Sequence, residues 1–419
     1  MTRHTAHRAA ACCLGALVAL SADQAARADA VTDWNAKAEA IHIAKQRLSP
    51  AAAAREMAIL HVSMFEAVNA VERRYASYRL NLTAEKDASK EAAAVAAAHA
   101  VLTTLHPEQQ AKLDADLAAS LAAVTEGERK AKGIDLGKRA AAGIIALRAN
   151  DGSSAPESYR PYTSAGVYVP TTVPASLTVG GVTPWVMKTG SQFRPAPPPA
   201  LNSPTWTKDV NEIQELGART SAKRTAEQTS IGRFWFTNGP QTWNPILRQV
   251  AVGRDMNLVD CARLFALAAI ASNDAFIAVF DAKYAFNLWR PITAIRNADL
   301  SENKATAREA SWLPLGDTPM HPEYPCAHCI SSTAVGAVIQ KVVGNDVAEI
   351  TMTSPTAPGF TRKWTRVQDY MDEVSMARIY AGFHYRFSTK VAEDMGRKIA
   401  ELAVTTQLLG ATASAEPRR

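Results

Sequence analysis

Residues 57–71 read MAILHVSMFEAVNAV, and their apolar side chains recur at steps of three and four. An α-helix has about 3.6 residues per turn, so this spacing places the apolar side chains on one helical face. The face consists of Met57, Leu60, Met64, Phe65, Val68 and Val71. The pattern predicts an amphipathic helix that buries one side against its neighbours.

Helical patterns extend on both sides of this segment, and strand signals are nearly absent. The next ones lie at 92–105, 113–124 and 128–148. A further helical region runs from Asp209 to Leu409, with breaks at glycines and prolines. We therefore predict an all-α fold of two four-helix-type bundles, an N-terminal bundle at 29–152 and a C-terminal domain at 209–410.

The region between the two bundles, 153–208, is rich in proline, and 10 of the 22 prolines of the chain lie there. No helix tolerates that density, because proline lacks the backbone N–H that a helix needs. We predict an irregular connecting loop. Long loops of this kind are often functional, so it is either a lid over a binding site or a passive strap between the bundles.

Composition limits the classes of function. Hydrophobic residues make up 47% of the 419 residues and charged residues 21%, which excludes disorder as the main state. The formal net charge is +6, but the basic residues are scattered and form no run suited to nucleic acid. A small anionic ligand is compatible with this mild positive charge.

The first residues resemble a secretory signal. Two arginines precede an apolar stretch at 9–20, and Ala26-Arg27-Ala28 offers a small-x-small cleavage pattern. We predict a signal peptide at 1–28, a secreted or periplasmic mature chain without a transmembrane segment, and a flexible tail at 411–419. The longest other apolar run, 264–271, is too short to span a bilayer.

Three segments of the C-terminal half concentrate unusual polar residues. The first, KYAFNLWRP, places Lys283 and Arg290 seven positions apart, which returns them to nearly the same helical face. The second, HPEYPCAH, runs from His321 to His328 and leads into a predicted helix from Cys329. The start of a helix carries free N–H groups that attract an anion.

The third segment, ARIYAGFHYRFS, begins at Ala377 and contains Arg378 and His384. Gly382 is a suitable place for a helix to end and turn His384 back, and Ser388 is predicted to cap the last helix. Each segment alone is compatible with a solvated surface or a packed histidine. Together they supply three cations, free N–H donors, and histidines that can act as acids, bases or ligands. These are the groups that bind an oxyanion.

The order of these segments resembles the superfamily of vanadium-dependent haloperoxidases and type 2 phosphatidic-acid/acid phosphatases. Its motifs Lys-x6-Arg-Pro, Pro-Ser-Gly-His and Ser-Arg-x5-His have counterparts here in the same order. They are Lys283 to Pro291, Pro325-Cys326-Ala327-His328 and Ala377-Arg378 to His384. The chain departs from the motifs in having Cys326 for serine, Ala327 for glycine and Ala377 for serine, with Ser388 in place of a later aspartate.

The resemblance implies a role for each matched residue. Lys283, Arg290 and Arg378 would bind the oxygens of vanadate or phosphate, with Cys326 and the backbone N–H of Ala327 in the same site. His384 would be the axial ligand of vanadium, or the nucleophile of a phosphatase. His328 would be the acid/base residue.

A haloperoxidase is the first choice, with vanadate as cofactor and hydrogen peroxide and halide as substrates, because the size, the two bundles and residues 289–296 look like bacterial haloperoxidases. His321 falls where bromoperoxidases of the family place a halide-pocket histidine. A free Cys326 would be oxidised beside such a centre. It is therefore either protected in a disulfide with Cys329, or the reaction is hydrolysis of small phosphate esters.

Two further hypotheses come from other classes. Cys326 to Cys329 resembles the Cys-x-x-Cys of thiol oxidoreductases, but the strand-helix-strand context of that motif is missing from the pattern. A secreted helical protein that binds an anion without turnover is the other possibility.

Overall fold

The chain, seen in a computed structural model, is described over residues 19–45, 49–237 and 239–410, with side chains from residue 30 onward. The predicted signal peptide at 1–28 and the predicted tail at 411–419 lie outside the residues whose side chains are described. Thirteen α-helices and a two-stranded sheet form within the described residues. The predicted all-α class is thereby confirmed.

The helices of the first half are α1 Ala19–Ala44, α2 Pro50–Glu72, α3 Lys90–Leu105, α4 Gln110–Ala122 and α5 Glu128–Arg148. Those of the second half are α6 Pro204–Leu216, α7 Ala226–Phe234, α8 Asn244–Gly253, α9 Leu258–Phe286, α10 Pro291–Arg296, α11 Ala327–Val343, α12 Val367–Tyr380 and α13 Arg386–Thr406. The strands are β1 Asp346–Thr353 and β2 Thr361–Arg366.

Short polar residues set the starts of several helices. The hydroxyl of Ser49 accepts a hydrogen bond from the N–H of Ala52 at α2, and Ser89 and Ser203 cap α3 and α6 in the same way. Such a cap satisfies one of the N–H groups that the first helical turn leaves free.

Helix α3 is largely alanine, and α5 packs closely on it. Gly133 and Gly137 of α5 face the backbone of α3, where an added Cβ would collide with the carbonyl oxygens of Ser89 and Ala93. The small residues on both helices therefore allow a close approach that larger side chains would prevent.

Helix α9 is the centre of the molecule and packs against α2, α11 and α13. Its length and composition would also suit a membrane span, but 94% of its most apolar window is buried inside the protein. That burial is typical of the core helix of a folded domain. One apolar core, from Val31 to Leu408, includes residues of both halves of the chain.

The hairpin of β1 and β2 differs from the expectation of helix in this region. The strands are antiparallel, and Ile350 pairs with Trp364. Ile350 and Met352 are buried, whereas their neighbours Glu349, Thr351 and Thr353 are exposed. This alternation is the period of a half-buried strand, so the prediction of helix here was wrong.

The connecting segment at 153–208 has almost no regular structure before α6 and lies across α9. The carboxylate of Asp274 on α9 accepts hydrogen bonds from the backbone N–H groups of Trp185, Val186 and Met187, at 2.7 to 3.0 Å. These bonds hold the middle of the segment in place. The boundaries of the two predicted domains stay predictions.

The end of the described chain returns to the first half of the molecule. The N–H of Ala76 donates to the carbonyl of Leu409 at 2.7 Å, and the Nε of Arg263 donates to the carbonyl of Leu408 at 2.8 Å. The end of the described chain therefore lies beside α9 and the segment that follows α2.

Candidate active site

A cavity of about 590 Å³ lies where the three unusual segments meet. Its polar lining includes His321, His328, Ser331, Arg378 and His384, with Arg219 and Asp317 also on the wall, and Ala327 lies beside them. Its aromatic lining is Phe236, Phe276, Phe280 and Phe383. Ser49 and Pro50 come from the first half of the chain, and Ala175 and Ser176 from the connecting segment. That segment thus forms part of the wall of the cavity.

Arg290 joins the segments together. Its Nε donates to the carbonyl of His321 at 2.8 Å, and its Nη1 donates to the carbonyl of Phe383 at 3.0 Å and to Nε2 of His384 at 3.2 Å. Its Nη2 donates to Nδ1 of His321 at 2.9 Å. Burial lowers the pKa of Arg290 to about 10, so it keeps its charge at neutral pH.

Lys283 lies behind the cavity wall. Its Nζ donates to the carbonyls of Pro322 and Glu323 at 2.9 and 2.8 Å. Burial, followed by the charge of Arg290, lowers the pKa of this ammonium well below its ordinary value. Lys283 thus supports the loop before α11, and an anion bound in the cavity would favour its charged form.

Arg378 ends α12 and reaches the cavity directly. Its Nη1 donates to the carbonyl of Trp235, and its guanidinium lies over the ring of Phe383. Its Nε is buried without a hydrogen-bond partner. Burial lowers the pKa of Arg378 to about 9, so the orphaned donor belongs to a cation.

Glu323 orients His384, and the sequence did not reveal it. The carboxylate Oε1 accepts from Nδ1 of His384 at 2.9 Å and from the N–H of Tyr385 at 3.0 Å. Because Nδ1 carries the proton, Nε2 is the nitrogen with the lone pair. Burial and then Arg290 lower the pKa of His384 well below its ordinary value, which keeps the imidazole neutral and able to act as a ligand.

His328 stands in the first turn of α11. Its Nε2 donates to the carbonyl of Thr237 at 3.0 Å, which leaves Nδ1 as the acceptor. Burial and then Arg378 lower the pKa of His328 well below its ordinary value. An anion bound beside Arg378 would offset that charge and raise the pKa again, as an acid/base group requires.

His321 lies at the edge of the cavity, with its ring against the ring of Phe280 at 5.3 Å between centroids. Arg290 holds it through the Nδ1 contact. The structure therefore places an imidazole and an aromatic surface side by side at the predicted halide pocket.

The cluster has an excess of buried positive charge. Lys283, Arg290 and Arg378 are all at least 98% buried, and Glu323 is the one carboxylate that the described structure places among them. Buried charges without counter-ions are costly. The excess and the orphaned Arg378 Nε together fit a bound oxyanion.

The comparisons with known proteins agree with this geometry. The family model of the VCPO second helical-bundle domain matches residues 263–409, which include all three motifs. The vanadium chloroperoxidase of Curvularia inaequalis is 29% identical over 242 residues, or 42% of this chain and 39% of that protein. The match thus spans about two fifths of the length of that relative.

The crystal structure of the first bacterial vanadium-dependent iodoperoxidase is similar over nearly the whole chain. It matches with a TM-score of 0.75 and 25% identity, over 91% of this chain and 96% of that one. The chain belongs to the vanadium haloperoxidase superfamily. An apo-type bacterial vanadium-dependent chloroperoxidase, at 16% identity, TM-score 0.67 and coverage of 85% and 92%, shares the fold.

The residues of this superfamily member fit vanadate. Arg290 and Arg378 would hold its oxygens, with the N–H of Ala327 at the start of α11, and Nε2 of His384 would meet the metal. In the present arrangement Arg290 donates to that nitrogen, so the ligand would have to displace this one hydrogen bond.

Cys326 and Cys329 form a disulfide at the start of α11. The Sγ of Cys326 also accepts a hydrogen bond from the N–H of Cys329 and so caps the helix. The cysteine that replaces the serine of this superfamily thus has no free thiol beside the cavity. Within the described residues the single free cysteine is Cys261, which is buried in α9.

Ser388 does not cap the last helix, so that prediction was wrong. Helix α13 begins at Arg386, and Ser388 lies in its first turn. The free N–H groups of this turn are satisfied from elsewhere in the chain. Glu323 accepts from Tyr385, and Asp209 accepts from Phe387 at 2.6 Å.

Proposed function

We propose that this protein binds vanadate and oxidises halide ions with hydrogen peroxide to a hypohalous species. The observation that carries the proposal is the buried cluster of cations, with the partnerless Nε of Arg378 beside the neutral imidazole of His384 in one cavity. Membership of the superfamily supports the cofactor, and the named relatives are a chloroperoxidase and an iodoperoxidase.

Each residue of the cavity has a role that follows from its position. Arg290 and Arg378 neutralise and orient the bound anion, and Lys283 adds positive potential from behind. Vanadate, when bound, supplies a Lewis-acid centre that activates peroxide towards a halide. His328 holds or releases the proton of the peroxide, and His321 with Phe280 forms the halide pocket.

The phosphatase alternative is not favoured, because the relatives in these comparisons are haloperoxidases. The disulfide of Cys326 also removes the chemical objection to an oxidant in this cavity. The same bond supports our proposal that the protein acts outside the cell or in the periplasm, where disulfides persist.

The test measures halide oxidation by peroxide, with and without added orthovanadate, and hydrolysis of a phosphate ester on the same preparation. We expect vanadate to activate the first reaction and, if any hydrolysis occurs, to inhibit it. His384→Ala should abolish halide oxidation. His99→Ala should retain it, because His99 is a half-buried histidine of α3 that pairs with Asp114, outside the cavity. Full activity of His384→Ala would refute the assignment, and vanadate binding without turnover would favour an anion-binding protein.

A further inference from the structure

Three side chains of the first half of the chain converge on one point, away from the active site. They are His42 near the end of α1, Glu56 in α2 and His106 directly after α3. Nε2 of His42 and Nε2 of His106 each lie 2.9 Å from the same carboxylate oxygen, Oε2 of Glu56. The three ligand atoms all lie within 4.8 Å of one another.

The donor set is the one that zinc binds in many proteins. Two imidazoles and one carboxylate, with an open fourth position, form a tetrahedral site with bonds of about 2.0–2.2 Å. Such bonds separate neighbouring ligand atoms by roughly 3.3 Å. Each imidazole nitrogen lies 2.9 Å from the carboxylate oxygen, a few tenths of an ångström short of that separation.

The cluster carries a negative charge on Glu56 and is open to a cavity on one side. Burial would raise the pKa of Glu56, but hydrogen bonds from His106 and His42 outweigh it and bring the pKa to about 2, so the carboxylate is an anion. Both imidazoles are buried, whereas Glu56 lines a second cavity of about 630 Å³. That cavity gives an ion a route and leaves room for a water as fourth ligand.

The far sides of the two imidazoles differ. Each ring directs Nε2 towards Glu56, and Nδ1 of His42 is buried without a hydrogen-bond partner. Nδ1 of His106 accepts from Lys45 at 2.6 Å, and Lys45 also pairs with Glu108 at 2.6 Å. The carboxylate of Glu108 lies 3.8 Å from Nδ1 of His106.

We propose that His42, Glu56 and His106 bind a zinc-type divalent cation that ties α1, α2 and the end of α3 together. Binding moves the proton of each imidazole from Nε2 to Nδ1. On His106, Glu108 then accepts it and Lys45 turns towards solvent, and on His42 it stays on the ring, facing away from the ion. A carboxylate behind a metal-bound imidazole is the usual arrangement of such sites. The ion stabilises the first half of the molecule and takes no part in the chemistry of the active site.

The test uses the untagged full chain, treated with a chelator and then dialysed. Zinc chloride is added in a calorimetric titration, and thermal unfolding is followed at increasing zinc. We expect one zinc per chain and a rise in Tm of roughly 2–5 °C at zinc concentrations 100-fold above Kd. His106→Ala and Glu56→Gln should each weaken zinc binding at least about 10-fold.

Two further variants separate a metal site from a structural network. Lys45→Ala removes the cation that competes at His106 and should tighten zinc binding, although it removes a hydrogen bond from the metal-free protein. His99→Ala, a histidine of α3 outside the cluster, should bind zinc like the wild type. If His106→Ala fails to fold, zinc binding is measured on Glu56→Gln instead, because that variant keeps a hydrogen-bond acceptor for both imidazoles. Equal zinc affinity and Tm rise in Glu56→Gln and the wild type, or no binding by the wild type, would overturn the proposal.

Discussion

Glu323 is the residue on which the orientation of His384 depends. Its carboxylate fixes the proton on Nδ1 and so directs the lone pair of Nε2. Burial raises the pKa of Glu323 to about 7, although Lys283 and Arg290 oppose the rise. Glu323 is therefore close to the midpoint between its charged and neutral forms at neutral pH. Because it holds the ring of His384 in place, it is a positioning residue for the proposed metal ligand.

Glu323→Gln tests this role, because it keeps the shape and an acceptor but removes the charge. Loss of the negative charge should strengthen the binding of any anion, because the cations of the site are then less neutralised. Vanadate binding alone also requires a basic Nε2 on His384. We expect the ratio of vanadate to phosphate affinity to fall roughly 10- to 100-fold. Equilibrium titration with both anions measures the ratio. Equal changes for both anions would contradict the positioning role.

The cysteines allow a second test at this scale. The test uses a chain that starts at residue 29 and so lacks Cys12 and Cys13. With Cys326 and Cys329 in a disulfide and Cys261 buried in α9, we expect no rapid alkylation of this chain in its native state. Denaturation without reductant should add one label, at Cys261, and denaturation with reductant should add labels at Cys326 and Cys329 as well. Peptide mass spectrometry locates the labels. Labelling of Cys326 before reduction would show a free thiol.

The motif spacing predicted which cationic and histidine residues belong to one site, because each motif is local in sequence. The structure brings His321, Ala327, His328, Arg378 and His384 to one cavity, with Arg290 bonded to two of its histidines. Their roles stay predictions. The role of Glu323 was not predicted, because its partner His384 lies 61 residues away and no local sequence pattern indicates the pairing.

At the scale of elements, regular helices were the easiest to predict. The segment Glu128–Arg148 was expected as a helix and forms α5 with those limits. The start of α13 was not predictable from its own residues, because Glu323 and Asp209 replace the local serine as caps. The hairpin of β1 and β2 was missed because its apolar residues are few and alternate over a short distance.

The connecting segment depends on Asp274, whose carboxylate accepts three backbone N–H groups. Burial raises the pKa of Asp274 to about 6 despite these donors. Because this pKa is higher than that of an aspartate in the unfolded chain, the folded state takes up the proton at a higher pH than the unfolded state does. The contribution of Asp274 to stability is therefore greatest at low pH and declines as pH rises from about 4 to about 6.

Asp274→Asn should remove this pH-dependent contribution and place an amide against backbone donors. The loss of unfolding free energy relative to wild type should be larger at pH 4 than at pH 7, by on the order of 3 kcal/mol. Chemical denaturation across this range measures it. Ser191→Ala, an exposed change in the same segment, should follow the wild type. A loss that is constant with pH would contradict the raised pKa.

At the scale of the molecule, the two predicted bundles share one apolar core. Helix α9 is buried along most of its length, and α2 of the first half covers part of it. Periodicity predicts helices but does not show which faces meet, so the sequence indicated two bundles without showing that they share a core. Even the cavity takes Ser49 and Pro50 from the first half.

Residues 201–410 expressed alone, which keep α6 whole, should therefore expose the face of α9 that α2 covers. We expect this fragment to aggregate or to unfold without a cooperative transition, and co-expression with residues 29–200 to improve its solubility. Calorimetry and size-exclusion chromatography compare it with the intact chain. A soluble fragment with a sharp thermal transition would show that the second half folds independently.

The contact of Ala76 with Leu409 has a consequence for biosynthesis. These residues are more than three hundred positions apart, so they cannot meet until residue 409 has left the ribosome. The surface around Ala76 therefore stays incompletely covered until the residues after α13 are made. We expect a nascent chain that stops before that point to expose this surface to holding chaperones.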